Sequence, residues 1–473
     1  MSTLPEKEAR VCVETAFNDD DATVNGKAPR RSVSRSSCSK KEVDESATTE
    51  ATSRPVSEYD DSEIPDGGLR AWLVVLGAAC GSFTTFGFVN AWGVFQSYYT
   101  ENILKDTPPS TIAWIGSIQY ALIFVPGLVT GRMFDMGYFK IPLLVSSAFL
   151  VMATFLVAEC KEYWQFLLCQ GFAVGLACGM IFGPMLGVVA HWFKRKRGLA
   201  LGLNAVGSSV GGTVFPIAAR NLIEIVGFKW TMRILGFIQI AGLAVTNLTI
   251  ARRLPPKNIS GPFFDLSAFR DAPYTIYCTA SFVAFLGLYT VLTYIDISAV
   301  SAGIPEDFSF YLVSIANAAS GIGRIGGGIF ADKLGAVNVM APATFVAAIL
   351  TYAWPFAKSK GEFIVIAIIY GIASGVYVSL LAAPIMAMGE VHDIGVRVGM
   401  SMTILAAGAL AGPPISGAIN QATGGFTAVG YYAGSVVIVA VVLIIITRQL
   451  VLHKLWDGGE STLMQYHDFH GRI

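Results

Sequence analysis

Charged side chains are scarce in this chain. They make up 14% of its residues, whereas a soluble domain carries about 25%, so much of the surface must face something other than water. Positive and negative charges cancel to a net of zero, which removes the usual electrostatic argument for a nucleic-acid partner. The five histidines form no HExxH pair, and the seven cysteines form no CxxC pair and none lies at metal-ligand spacing from a histidine. Five of the cysteines (Cys80, Cys160, Cys169, Cys178 and Cys278) lie in or beside apolar stretches and read as small packing residues. No metal and no cofactor is expected. A membrane enzyme would need ligating histidines or a nucleophile with its base, and an ATP-driven pump would need a P-loop; neither pattern is found. The start lacks the basic residues and short apolar run of a secretory signal, so the first hydrophobic helix is expected to act as its own insertion signal.

What the chain has instead is hydrophobic length. Apolar residues make up 53% of it, and from Trp72 nearly to the end they form runs of about 20 residues or more, enough to cross a hydrocarbon layer of roughly 30 Å. The runs predict spans near 71–98, 111–131, 140–159, 164–190, 198–220, 230–250, 272–296, 308–331, 338–357, 363–387, 396–421 and 428–449. They are continuous rather than alternating, which argues for helices and against a barrel. The fold class is therefore an all-α membrane protein with twelve spans in two six-helix bundles, at 65–251 and 271–450, joined by a linker at 252–270. Residues 1–64 are polar, poor in aromatics and read as a disordered tail; residues 451–473 read as a short C-terminal tail. The stretch Arg30-Arg31-Ser32-Val33-Ser34 resembles a basophilic kinase site, against the plainer reading of a solvated tail.

Basic residues set the expected orientation. Arg132 and Lys140, then Lys194 to Arg197, then Arg252, Arg253, Lys257 and Arg270 fall in alternate loops, while Glu101, Asp106, Glu159, Glu162, Glu306 and Asp307 mark the others. The positive-inside rule places both termini in the cytosol. The sequons at Asn247 and Asn258 then face the cytosol and stay unglycosylated.

The halves repeat one pattern. Gly131 and Asp135 after the second span recur as Gly328 and Asp332 after the eighth. Gly175 and Gly179 recur as Gly371 and Gly375, and Gly198, Gly207 and Gly211 as Gly399, Gly408 and Gly412, with His191 and His392 ahead of those last two sets. Small residues at helical spacing let spanning helices approach closely, and an internal repeat is a common plan for secondary transporters. A carboxylate at a helix end can hold a neighbouring helix start, so Asp135 with Arg132, and Asp332 with Lys333, are candidate gating residues. Glu390, His392, Asp393 and Arg397 form a third candidate cluster.

These residues resemble the Major Facilitator Superfamily. Gly328 to Gly335 looks like its GxxxD-[RK]-x-G loop. Pro65-Asp66-Gly67-Gly68, and the stretch from His191 through Arg197 to Gly202, resemble the two signatures of the monocarboxylate-porter family in its fungal form. The resemblance runs from about Asp66 to Leu450. It implies alternating-access transport of a small organic solute, sometimes with a proton, across the plasma membrane. It also implies that Arg324 in span eight pairs a substrate carboxylate. Independently, Arg324 stands eight residues before Asp332, about 12 Å into the membrane, where a guanidinium must face a polar cavity or a partner. Where proton-linked relatives place a lysine and an aspartate, this chain has Asn90 and Ser320. Asn90, Trp92 and Gln96 in span one, Phe182, and Tyr289, Tyr294, Tyr370 and Tyr377 later in the chain, are candidate contacts for a larger, partly apolar solute. Asp296 marks the outer end of span seven, as a gate carboxylate or a solvated helix end. The expected activity is export of a specialised metabolite. Uptake of a monocarboxylate or vitamin, and a transporter-like nutrient sensor, are the alternatives.

Overall fold

The computed structural model describes residues 66–253, 266–389 and 393–457. The tail with its motif at residues 30–34, the Asn258 sequon, and Glu390 and His392 lie outside the described residues.

Ten helices among the described residues are long and apolar enough to cross a membrane. One of them, Arg197–Thr249, has 53 residues, about 80 Å at 1.5 Å per residue, far more than a single crossing needs. It breaks at Gly227, where φ is 78° and ψ is 163°, leaving α5 (197–226) and α6 (228–249). A further helix, Glu306–Leu334, has 29 residues and is less apolar because Ser314, Asn317, Ser320 and Arg324 lie on it. Twelve helices result. In chain order the others are α1 (Leu69–Ile103), α2 (Pro109–Asp135), α3 (Lys140–Val157), α4 (Tyr163–Trp192), α7 (Ala272–Ser301), α9 (Ala336–Phe356), α10 (Lys360–Ala387), α11 (Ile394–Thr423) and α12 (Phe426–Asp457), with Glu306–Leu334 as α8.

Each helix begins within a few residues of the start expected from hydropathy. The ends of α1, α7 and α12 run further, because extending a helix into the interface keeps its backbone hydrogen bonds internal. The connection between α5 and α6 is a one-residue break rather than the longer loop expected. At that φ and ψ an L side chain is strained by about 1–3 kcal/mol, so Gly227→Ala is expected to lower the thermal unfolding midpoint in detergent. An unchanged midpoint would show that the corner accepts a side chain.

Within the first half α1 packs against the continuous α5–α6 stretch; within the second, α8 packs on α10, and α7 on α12. The halves meet along two seams, α5 with α8 and α2 with α11. Leu144 and Val145 of α3 and Phe345 and Ile349 of α9 are exposed, as lipid-facing side chains should be. The basic loop at Lys194 to Arg197 marks one end of the assembly, called here the basic end.

Candidate functional site

Four helices lose their continuity within the bundle. Helix α1 stops at Asn90 and Ala91, α2 at residues 123–126, α7 at Leu288 and Tyr289, and α10 at Leu381 and Ala382. Freed backbone groups are tolerated inside a membrane only where they are buried in protein or line a cavity. Here they surround one. A central cavity takes Asn90, Phe124, Leu288, Tyr289, Leu381 and Ala382 from these breaks into its wall. Two of the freed carbonyls are satisfied from behind: Tyr277 donates its hydroxyl to the Leu381 carbonyl at 2.8 Å, and Tyr370 donates to that of Leu288.

One wall of the cavity is polar. Arg324 of α8 is 6% exposed and donates across the α5–α8 seam to the Ala205 carbonyl at 2.5 Å and to the Ser208 hydroxyl. Its Nε is buried with no acceptor, and among the described residues no carboxylate pairs with it. Around it, Ser209 and Ser320 share a hydrogen bond of 2.7 Å, Ser82 donates to Asn204 at 2.9 Å, and Asn317 donates to the Gly212 carbonyl at 3.3 Å. A buried guanidinium without a counter-ion is costly, and one carbonyl and one hydroxyl offset only part of that cost. Other lining residues are aromatic. Phe86 meets Phe182 edge-on at 4.7 Å between ring centroids, Phe124 meets Phe285 at 5.5 Å, and Tyr120 meets Tyr289 at 5.0 Å. The last two pairs join α2 of one half to α7 of the other. One cation, a few amides and hydroxyls, and several ring faces suit a partly aromatic solute carrying one acidic or strongly accepting group.

Of the residues singled out from the sequence, Arg324, Asn90, Tyr289 and Phe182 line this cavity. Trp92 and Gln96 lie past the break in α1 and bond each other at 2.7 Å. Tyr294 donates to the Pro413 carbonyl at 2.8 Å, Tyr370 is spent on Leu288, and Tyr377 is fully buried beside Phe285. Asn204, Ser208, Asn317 and Ser374 are lining residues that the sequence reading did not name. Their signal was available, since Asn317, Ser320 and Arg324 are spaced three and four apart on one face of an otherwise apolar helix.

Both seams close at the basic end in the same way. Asp332 accepts the N–H of Gly198 at 2.6 Å and of Leu199 at 2.9 Å, at the start of α5. Asp135 accepts the N–H of Val396 at 3.0 Å, at the start of α11. Each carboxylate sits on the positive end of a helix from the other half. Arg252 braces the Asp135 latch by donating to the Phe134 and Asp135 carbonyls. Asp66, ahead of α1, accepts the N–H groups of Lys194 and Arg195 at 2.6 and 2.7 Å. Arg132 is buried with its side chain engaged, Lys333 is exposed, and Arg397 pairs with Asp393 at 2.6 Å and reaches the Met388 carbonyl. At the opposite end Arg220 of α5 pairs with Asp307 of α8 at 2.9 Å. Glu159 there is held below the usual carboxylate range by Lys229 and Arg233, and Asp296 accepts the N–H of Ile297 at 2.8 Å.

The seams are tight enough to forbid side chains. A Cβ on Gly131 would run into the Gly395 carbonyl, and one on Gly198 would lie 2.6 Å from the Gly328 carbonyl oxygen. Gly131→Val is therefore expected to hold the basic end apart. The check is the labelling rate of a cysteine placed in the cavity wall by Ser379→Cys, probed from that end; an unchanged rate would show that α2 and α11 close despite the added methyls.

Comparison with known proteins agrees with this architecture. The family model of the Major Facilitator Superfamily matches residues 74–383. MFS-type transporter 1 of Ophiocordyceps sp. is 37% identical over 398 residues, covering 83% of this chain and 88% of that protein. The aspyridones efflux protein apdF of Emericella nidulans is 36% identical over 403 residues, covering 85% and 82%. Among solved structures, the human organic anion transporter MFSD10 superposes with a TM-score of 0.62 at 14% identity, covering 79% of this chain and 98% of its own. The Escherichia coli fucose:proton symporter FucP does so with 0.61 at 15%, again covering 79% and 98%. At such low identity those two structures speak to the fold alone.

Proposed function

This chain belongs to the Major Facilitator Superfamily, and from that premise we propose that it exports an acidic, partly aromatic specialised metabolite through the central cavity by alternating access. Kinship to an aspyridones efflux protein supports the direction. The observation that carries the solute class is Arg324, a buried guanidinium with no carboxylate partner, facing a cavity otherwise walled by amides, hydroxyls and rings. The positive-inside rule assigns the basic end, both termini and the Asp135 and Asp332 latches to the cytosol, with the plasma membrane as the site of export. Trp92, Gln96, Tyr294, Tyr370 and Tyr377 act in this reading by supporting the broken turns, Arg132, Glu390 and Arg397 belong to the cytosolic gate, and Lys333 is exposed beside it without holding it. The Asp66 and His191–Gly202 motifs support placement in the monocarboxylate-porter branch, and that placement favours a second reading, uptake of a monocarboxylate.

The test compares metabolite profiles inside and outside cells with the gene intact and deleted. An acid that accumulates inside the deletion strain and falls in the medium is the expected result. An acid that persists in the medium and falls inside would establish uptake instead.

A further inference from the structure

The charge inventory of the cavity, taken with the export reading on which this inference rests, speaks to the source of energy. Arg324 is, among the described residues lining the cavity, the one side chain with a full charge. The rest are amides, hydroxyls, hydrocarbon, the Met402 thioether and the uncharged phenol of Tyr289, which packs on Tyr120. Exchange against protons, or symport with them, needs a group in the transport path that gains and loses a proton as the cavity changes sides. Asp135 and Asp332 are not among the residues lining the cavity and sit at the basic end, on helix-start N–H groups. His191, at the same end, lies on the Phe134 ring at 4.9 Å. Asp296 is on α7 towards the opposite end, bound to its neighbour's N–H. A guanidinium is not deprotonated in proteins, so Arg324 cannot hand a proton across.

The consequence is a fixed charge cycle. Empty, the cavity carries one positive charge; loaded with a monovalent anion, it is neutral. The loaded form can turn outward without moving net charge, and the empty form returns inward carrying the cation of Arg324. An inside-negative membrane draws that return leg. We propose that this transporter is an electrogenic uniporter of monovalent organic anions, with Arg324 as the countercharge and the membrane potential, not a proton gradient, powering export. One negative charge leaves per cycle and no proton accompanies it.

The test uses the purified full-length protein in liposomes loaded with a deproteinised small-molecule extract of the producing cells. Valinomycin with a potassium gradient sets the voltage, a separate buffer gradient sets the pH difference, and mass spectrometry follows what leaves relative to protein-free liposomes. The compounds released by the protein are expected to be acids. Their outside-to-inside ratio is expected to rise about 40-fold for an inside-negative 100 mV, from about 2.3 kcal/mol per charge per 100 mV and about 1.4 kcal/mol per tenfold. An equivalent pH gradient leaves that ratio unchanged. Protein-dependent release that follows the pH gradient and ignores voltage would overturn the uniport while leaving export intact. Release of neutral compounds alone would overturn the anion and its countercharge. No protein-dependent release at all would overturn the export reading and this inference with it. Arg324→Gln, first shown to melt at the wild-type temperature or above, is expected to lose the voltage-driven release of acids; keeping it would remove Arg324 from the countercharge role.

Discussion

Arg324→Gln is expected to abolish export of the acidic solute while the protein stays as abundant and at least as stable as wild type. The two halves of that statement come from one observation. The guanidinium is buried, donates to a carbonyl and a hydroxyl, and leaves its Nε without an acceptor. Removing a buried charge that lacks a counter-ion lifts a desolvation penalty. Removing the partner of a bound anion does the reverse. Truncating one side of a buried, hydrogen-bonded charge pair costs about 2–5 kcal/mol, or roughly 30- to 4,000-fold in affinity. The measurements are solute binding by isothermal titration and the unfolding midpoint in detergent. A variant that binds normally would take Arg324 out of solute contact, and one that binds normally but melts early would make it a structural residue. Arg324→Lys is expected to fall between, since an ammonium keeps the charge and loses the planar fork.

Asp332→Ala is expected to shift the protein strongly towards the form open at the basic end. The carboxylate accepts two backbone N–H groups at 2.6 and 2.9 Å from the start of α5, and hydrogen bonds to a charged group contribute about 1.5–3 kcal/mol each. Opening returns those N–H groups to water, so the net loss is nearer 2–4 kcal/mol, roughly 30- to 900-fold in the open-to-closed ratio. Modification of a cavity cysteine from the basic end should accelerate accordingly. Asp135→Ala should act in the same direction through the seam of α2 with α11, while Lys333→Ala, at an exposed position, should leave the rate alone. If Asp332→Ala leaves the rate alone as well, the carboxylate does not hold the gate, and the glycine contacts at Gly198 and Gly328 do.

Much of this arrangement was legible in the chain, for a physical reason. A spanning helix must be long and continuously apolar, so twelve runs gave twelve helices, and the repeat of Gly131 with Asp135 as Gly328 with Asp332 marked the two seams. The partners of those aspartates, helix starts across the interface, follow from placing a carboxylate where N–H groups are unsatisfied. The cavity wall was harder to read. In a helix whose lipid face and interior face are both apolar, hydrophobic periodicity does not say which side a ring takes, so Tyr294, Tyr370 and Tyr377 were grouped with Tyr289 although only Tyr289 lines the cavity. Polar residues carry the sign that rings lack. Asn204, Ser208 and Asn317 have no reason to face lipid, and their spacing points at Arg324. The breaks at Asn90 and at Tyr289 have glycines close by, Gly87, Gly93 and Gly287, but glycines recur along unbroken stretches of these helices too, so they do not mark a break; the cavity beside the breaks is what makes them tolerable.

The most direct test of the account is electron cryo-microscopy of the protein bound to the acid identified by comparing intact and deletion strains. The predicted result is density in the central cavity, with the acidic group within hydrogen-bond reach of Arg324 and the body of the molecule between Phe86, Phe124 and Phe285. A solute bound elsewhere, with Arg324 still donating only to Ala205 and Ser208, would contradict it.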